Sequence, residues 1–552
     1  MSVGRVFVLA LAAWPLLPVV AAAQYGTDPY AQYGQTGGYG TPSTPPATPT
    51  PGSDEDVDLA AGGHVGYVRL DEHNFVAPVL AADIRLYFLQ AAVRIPLRFR
   101  LDTGDIREQD WDEAADFFRL GQCVRFDLAS RDEAESRLPM GARAAPFERE
   151  RGNCQPWDMD LGDTYFSVRL GRFHDFMLGT GTILRSFSND LNPDHFLPGL
   201  MADIKVERYI TARFILDNVA SPGVMGGSFT FAPVGSETPA ELLVRGLRRP
   251  ISPHQLAIEG TVVADLQAPD RVRTAFGLGL VDAQRNLLTT VTPLLVVGAN
   301  LQYIYQLDTE FLLGARADLN WITGFGMGGH AQAGAIIQHP QADWRLILGA
   351  EGRLFQGNYV PTYFDSYYQI NSQQYTLTDG LVEQLGGQRF VTKREFLESL
   401  DPDDWRGGYQ AGFRFELRSG TPFVDQRVLF FAQLYAGDNI ERDNDGEVTL
   451  TIGVPRLSDA IDIYALYSRQ SIDSFGDLFE LDDTLVKLHV RWDLLRGLMY
   501  VLLEYGRIWQ VLIDQESFST LGFTSENVFN ISLGFEAGIA GRPAATHGLP
   551  AP

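Results

Sequence analysis

Charged side chains recur at every second position in several stretches of this chain, the spacing that puts them on one face of an extended segment. Arg69, Arg85, Arg94, Arg98 and Arg100 fall on polar positions early in the sequence. Arg316 with Asp318, Arg414 with Glu416, and Lys487, His489 and Arg491 follow the same rule further on. A row of guanidinium groups beside water attracts anions and makes ion flow depend on salt. The same arginines are equally suited to pairing with acids such as Asp83 across neighbouring segments, and the sequence allows both. Bond-making chemistry has far less support. There is no HExxH and no GxSxG, and the nine histidines are scattered. Asp194 and His195 stand side by side in "NPDHF", where neighbours need not face each other. No catalytic residue, cofactor or metal site is expected, and the chain reads as a non-enzyme.

The two cysteines carry a more local expectation. Cys123 shares the polar positions of "FFRLGQCVRFD", and Cys154 lies in the connection "ERERGNCQPWD". In an oxidising compartment such a pair commonly bonds. A Cys123–Cys154 bond would fold residues 128–160 inward as a constriction loop; the alternative is two unlinked thiols.

These polar positions need strands to hold them. In "DTEFLLGARADLNWI", Phe311, Leu313, Ala315, Ala317, Leu319 and Trp321 alternate with Leu312, Gly314, Arg316, Asp318 and Asn320. "YQAGFRFELR" sets Tyr409, Phe413, Phe415 and Leu417 against Gln410, Arg414 and Glu416, and "VKLHVRWD" sets Val486, Leu488, Val490 and Trp492 against Lys487, His489 and Arg491. In "ADIRLYF", Ala82, Ile84, Leu86 and Phe88 oppose Asp83, Arg85 and Tyr87. About 18 such strands of roughly 8–14 residues can be drawn, long for a globular sheet but suited to tilted membrane strands. One helical signal stands apart. "TKREFLESL" has Thr392 three residues before Glu395, the spacing of a capping box.

Bulk properties narrow the class. The 552 residues carry 44 Lys+Arg against 69 Asp+Glu, a formal charge of -25 that argues against a nucleic-acid partner. The N-terminus has Arg5, an apolar Val6–Val20 stretch broken by Pro15 and Pro18, and small residues Ala21 and Ala23. That is the layout of a signal peptide over 1–23, cleaved near Ala23. Residues 24–59 are rich in Gly, Tyr, Pro and Thr and read as a disordered leader. Residues 60–537 form the strand-rich unit, and 538–552 a C-terminal tail. No later apolar run is long enough for a spanning helix.

Tight links at 339–343, 454–459 and 494–497 alternate with long ones at about 358–405, 470–483 and 509–525. The last strand, "NVFNISLGFEAGI", sets Phe529, Ile531, Leu533 and Phe535 against Asn530, Ser532, Gly534 and Glu536. This pattern over residues 60–537 resembles bacterial outer-membrane β-barrels of the porin-like kind as a class. The resemblance implies an all-β fold: a single large closed antiparallel transmembrane barrel of about 18 strands (roughly 14–22) with long extracellular loops. It implies location in the outer membrane and passive passage of small solutes past a loop constriction. A non-conducting anchor or surface receptor is the alternative. The partners implied are outer-membrane lipid and lipopolysaccharide, the barrel-assembly machinery, and a second copy or an envelope protein. "ERDNDGEV" lacks the ligand spacing of a calcium loop, so Asp445-Gly446 reads as a hairpin turn.

Overall fold

Leu319 and Trp321 are 60% and 47% exposed, while Asp318 and Asn320 on the same strand are 6% and 2% exposed. Sheets folded in water bury the apolar set and expose the polar one; here the order is reversed. The reversal runs through a computed structural model that describes residues between Val57 and Ala540, apart from 108–122, 130–163, 190–197, 235–253, 373–390, most of 473–483 and shorter stretches in links and at strand ends. The expected signal peptide, the leader up to residue 56 and the tail beyond residue 540 lie outside the described residues, as does Cys154.

Twenty long strands form the sheet. The first seven are β1 (Val57–Leu70), β2 (His73–Leu86), β3 (Leu89–Pro96), β4 (Cys123–Ala129), β5 (Tyr165–Gly171), β6 (Gly199–Val206) and β7 (Ile210–Leu216). Then come β8 (Val224–Val234), β9 (His254–Asp265), β10 (Leu294–Gln306), β11 (Phe311–Ile322), β12 (Met327–Gln338) and β13 (Trp344–Gln356). The rest are β14 (Trp405–Ser419), β15 (Arg427–Asn439), β16 (Asp445–Leu457), β17 (Ile461–Ile472), β18 (Thr484–Leu494), β19 (Met499–Asp514) and β20 (Ser519–Ala540). Three short segments, Phe99–Arg100, Thr274–Ala275 and Leu278–Leu280, bring the same sheet to 23 strands. Each long strand pairs antiparallel with its neighbours in chain order, and β1 also pairs with β20 from Leu59↔Ala540 to Arg69↔Phe529. Both terminal strands therefore use both their hydrogen-bonding edges, which removes the exposed edge an open sheet would carry.

The antiparallel order sorts the links onto two ends. Residues 207–209, 307–310, 339–343, 420–426, 458–460 and 495–498 are tight links at one end, here the turn end. Residues 172–198, 217–223, 266–293 and 357–404 leave the other, the loop end. Beyond β10 the long links 357–404 and 473–483 both leave the loop end, as expected, but the alternation is incomplete, since 323–326 and 440–444 leave that end too and are as short as the turn-end links. Most of the expected 509–525 link is strand, because β19 and β20 extend as a hairpin to Asp514 and Ser519. Before β10 the rhythm breaks, since 130–164 and 235–253 leave from the turn end. Asp445 and Gly446 open β16, paired with Asn439 and Asp438, so the Asp-Gly pair is strand rather than the expected turn.

Outward positions carry aromatic side chains near both ends. Trp321 and Trp405 mark the loop end; Tyr303, Trp492 and Phe535 mark the turn end, all exposed. The one helix among the described elements, α1 (Lys393–Ser399), sits in the 357–404 link. Its capping box is as expected: the Thr392 hydroxyl accepts from the Glu395 amide at 3.0 Å while the Glu395 carboxylate accepts from the Thr392 amide at 3.1 Å.

Candidate functional site

Residues 176–187 build the centre of the site. Phe176–Leu178 and Leu184–Phe187 pair as a small hairpin, separate from the large sheet. Its turn needs backbone that only glycine adopts freely: Gly179 has φ +61 and Gly181 φ +79. Phe176, Leu178, Ile183, Leu184 and Phe187 are buried, so the hairpin has an apolar underside that must be covered. It finds cover on the face of the large sheet opposite the exposed aromatics, the inner face. Ile183 packs where Gly298 leaves room, and Leu178 packs against Gly226.

The long 357–404 link is folded into the same cluster through Tyr359, Val360, Tyr363, Phe364, Tyr368, Val391, Phe396 and Leu397. It extends the hairpin by main-chain bonds: Thr362 N donates to Thr182 O at 2.9 Å, and Phe364 N to Ile183 O at 3.1 Å. Tyr368 donates to Asp265 at 2.6 Å, and buried Lys393 donates to Asp365 at 3.2 Å. A third insertion, 266–293, reaches round to β20, where Gly279 and Leu280 pair with Thr520 and Ser519. Three insertions thus converge at the loop end.

The hairpin tip rests on a lateral row of polar side chains, one per strand. Register places Thr230 opposite Glu259, Glu259 opposite Asn300, Asn300 opposite Asp318, Asp318 opposite His330, and His330 opposite Arg353. One residue pair nearer the turn end, a second row runs Gln302, Arg316, Gln332, Glu351, Gln410. The tip binds the upper row at Asp318 and, one pair nearer the loop end, Asn320. Thr180 donates to Asp318 at 2.7 Å, and the Asn320 amide donates to Thr182 at 3.0 Å. Gly179 approaches Glu259 so closely that an added Cβ would overlap its carboxylate.

Most charges in the rows are committed. Glu259 accepts from Thr230 at 2.9 Å, Thr261 at 3.2 Å and Asn300 at 2.9 Å. Glu351 binds Arg353 at 2.6 Å, His330 at 2.8 Å and Arg185 at 3.5 Å, with Gln332 also donating to it. An ionised carboxylate only accepts, so the His330 proton is assigned to Nδ1, leaving Nε2 to accept from Tyr359 at 3.3 Å.

The residues singled out from sequence fall in four places. Arg316 and Asp318 belong to the rows under the hairpin. Arg414 and Glu416 lie lower on the inner face, where Glu416 takes a bidentate bond from Arg345 at 3.0 Å and another from Arg414 at 2.6 Å. Lys487, His489 and Arg491 share β18; His489 meets Glu504 at 3.2 Å, and Arg491 meets Asp493 at 2.7 Å and lies over the Tyr500 ring. The early arginines scatter. Arg69 departs from its expected polar face: Gly66 and Val68 turn inward on β1, so Arg69 shares the exposed face with Val65 and Tyr67. Arg100 sits at a strand end and pairs with Asp102 at 3.0 Å, and Arg98 lies in the break between β3 and Phe99–Arg100. Arg85 and Arg94 occupy register positions opposite Asp58 and Ala81, with side chains outside the described residues. Residues 130–163 and the Asp194–His195 pair also lie outside them, so the expected Cys123–Cys154 loop is not described, and the inserted segment that is described comes from 172–198. Thr180, Thr182, Arg185, Glu259, Asn300, His330, Glu351 and Arg353 were not anticipated. Their one signal in sequence is "LGTGTILR", two glycines around alternating threonines. Among the described residues no group of three or more metal-ligating side chains forms a site.

No protein-family model and no curated protein matches this chain. Its fold is similar to that of OmpT, an outer membrane protein of Vibrio cholerae, at 8% identity and a TM-score of 0.28 over 89% of this chain and 100% of that one. It is similar to the siderophore receptor PirA from Pseudomonas aeruginosa at 7% identity and a TM-score of 0.32, covering 88% and 82%. OccK11 from Pseudomonas aeruginosa gives 8% identity and a TM-score of 0.28, covering 88% and 96%.

Proposed function

We propose that this chain is a bacterial outer-membrane β-barrel that lets small polar solutes pass along its inner face, with the 176–187 hairpin as the constriction. One observation carries this reading: the sheet exposes its apolar face and buries its polar one, with an insertion seated on the polar face. Exposed Leu319, Trp321, Tyr409, Phe413, Ile531, Leu533 and Phe535 are stable against acyl chains and unfavourable against water. Aromatic residues near both ends suit the two membrane interfaces. In hydrocarbon every backbone group needs a partner, and pairing β1 to β20 supplies one for the terminal strands. The expected signal peptide provides export.

The loop end then faces outside, since both terminal strands begin or finish at the turn end. Detergent-extracted full-length protein in planar bilayers tests the proposal. Discrete current steps that enlarge on deleting 176–187 are the expected result; an intact barrel with no current with or without the hairpin would rule out a channel.

A surface receptor is the second reading, and the 357–404 link favours it. Its Tyr359, Tyr363, Phe364 and Tyr368 are buried in an ordered cluster at the loop end rather than left as an exposed loop. A receptor would stay closed in bilayers and bind a ligand at that end.

A further inference from the structure

Two charges in the rows beneath the hairpin are left over. Arg316 is half-buried on the inner face and has no hydrogen bond and no ion pair within 4.0 Å among the described residues, although Asp318, Glu351 and Glu259 all lie near enough to feel its charge. The two glutamates that would serve it are saturated: Glu259 by two hydroxyls and an amide, Glu351 by Arg353, Arg185, His330 and Gln332. Asp318 has the complementary surplus. Its Oδ1 accepts from Thr180, while its buried Oδ2 has no partner. An orphaned carboxylate oxygen in a low-dielectric wall is costly, as is an unpaired guanidinium. Arg316 and Asp318 are two apart on β11, so both lie on the inner face beneath the hairpin tip.

We propose that Arg316 and Asp318 Oδ2 form a subsite for a small zwitterion, the α-amino acids being the simplest class. The guanidinium takes the solute carboxylate through paired N–H donors, and Oδ2 takes the ammonium. Arg185 adds a second positive field beside the carboxylate position without being free to bind there, because Gln410 and Glu351 hold it. Thr180 fixes Asp318 through its other oxygen, so the hairpin that narrows the passage also orients the subsite. This inference names the solute class for the channel reading above and rests on it.

The test uses detergent-purified full-length protein and three solutes: L-alanine, propionate (the same skeleton without the amine) and ethylamine (without the carboxylate). Calorimetric titration is expected to show alanine binding at least about tenfold more tightly than either analogue, since each charge-assisted contact is worth that much or more. Arg316→Gln is expected to bring alanine down to the level of ethylamine, Asp318→Asn to the level of propionate, and Arg316→Lys to recover part of the loss. Propionate binding as tightly as alanine, or no saturable binding by alanine, overturns the subsite. The wild-type comparison of the three solutes decides even where a variant does not fold. Bilayer current on the same preparation separates the two claims. Binding without current leaves the subsite and removes the channel; current without an alanine preference does the reverse.

Discussion

Thr180, at the tip of an inserted hairpin, donates a 2.7 Å hydrogen bond to Asp318, 138 positions later in the chain. Thr182 takes a bond from Asn320 across the same sequence distance, and both are buried. The contact joins a short insertion, residues 176–187, to a strand held on both edges. In the proposed channel it is where the width of the passage is set.

Replacing both threonines by the isosteric valine removes those bonds and leaves Asp318 and Asn320 short of partners. At about 1 kcal/mol each, the seated-to-released ratio of the hairpin falls by roughly 30-fold. Single-channel records of Thr180→Val/Thr182→Val are expected to show more frequent or larger open levels than wild type. Identical records would mean that the hairpin does not control the current.

The membrane assignment has its own test, at a position where water and lipid predict opposite outcomes. Ala317 is exposed in the middle of β11, between Leu319 and Ala315 on the outer face. In a soluble protein, Ala317→Arg at an exposed site changes stability little. At the lipid midplane it costs about 2–4 kcal/mol. Urea unfolding from liposomes is expected to show that loss for Ala317→Arg and none for Ala317→Leu.

Arg345 and Glu416 form a buried bidentate pair, 2% and 1% exposed. Glu416→Gln removes the charge that compensates both Arg345 and Arg414. Stranding a buried guanidinium costs about 3–5 kcal/mol, whereas replacing a whole pair by apolar residues of similar volume is often neutral. The temperature at which the folded band disappears in heat-modifiable gel migration should fall sharply for Glu416→Gln. Arg345→Met/Glu416→Leu should regain most of it.

The part of the fold that was legible in the sequence is the part governed by a period of two. Leu319 and Trp321 on β11, Tyr409, Phe413 and Leu417 on β14, and Trp492 on β18 all emerge exposed, and Asp318, Glu416, His489 and Arg491 buried, as the alternation implies. Local chemistry was equally readable at Thr392 and Glu395, because a capping box is complete within four residues. The expectation of about 18 strands against twenty long ones in the sheet reflects weak boundaries where the link rhythm breaks. Arg69 shows the limit of alternation: in "VGYVR" Gly66 and Val68 take the inward positions and Val65, Tyr67 and Arg69 the outward ones, so the inward set is no more polar than the outward one. The hairpin was illegible for a different reason. Phe176, Leu178, Ile183 and Leu184 look like one more short strand, and only long-range register brings Glu259, Asn300, Asp318, His330 and Arg353 into one row.

Asp217, the first residue after β7, gives the loop end a pH dependence. Burial pushes its carboxyl up to about 7, with the neighbouring Asp265 adding to the rise and backbone bonds at Val224 and Gly223 opposing it. Gly223 N donates to its Oδ1 at 3.0 Å, and Asn189 donates to its main-chain carbonyl at 2.9 Å, so this residue ties the 217–223 link to the base of the 172–198 insertion. A carboxyl raised in the folded state binds its proton more tightly there than in the unfolded chain. Between the ordinary value of 3.8 and about 7 the folded state therefore carries the extra proton, and stability falls as pH rises through that window. Above it the slope from this group vanishes. From pH 5 to pH 7 the loss is about 2 kcal/mol, at roughly 1.4 kcal/mol per unit with the last part flattening. Asp217→Asn keeps the shape and abolishes the titration. The measurement is the difference between wild type and Asp217→Asn in unfolding free energy across pH 5 to 8. Wild type should lose stability relative to the variant up to about pH 7 and run parallel to it above. Parallel curves throughout would show that Asp217 is ionised in the folded protein at all these values.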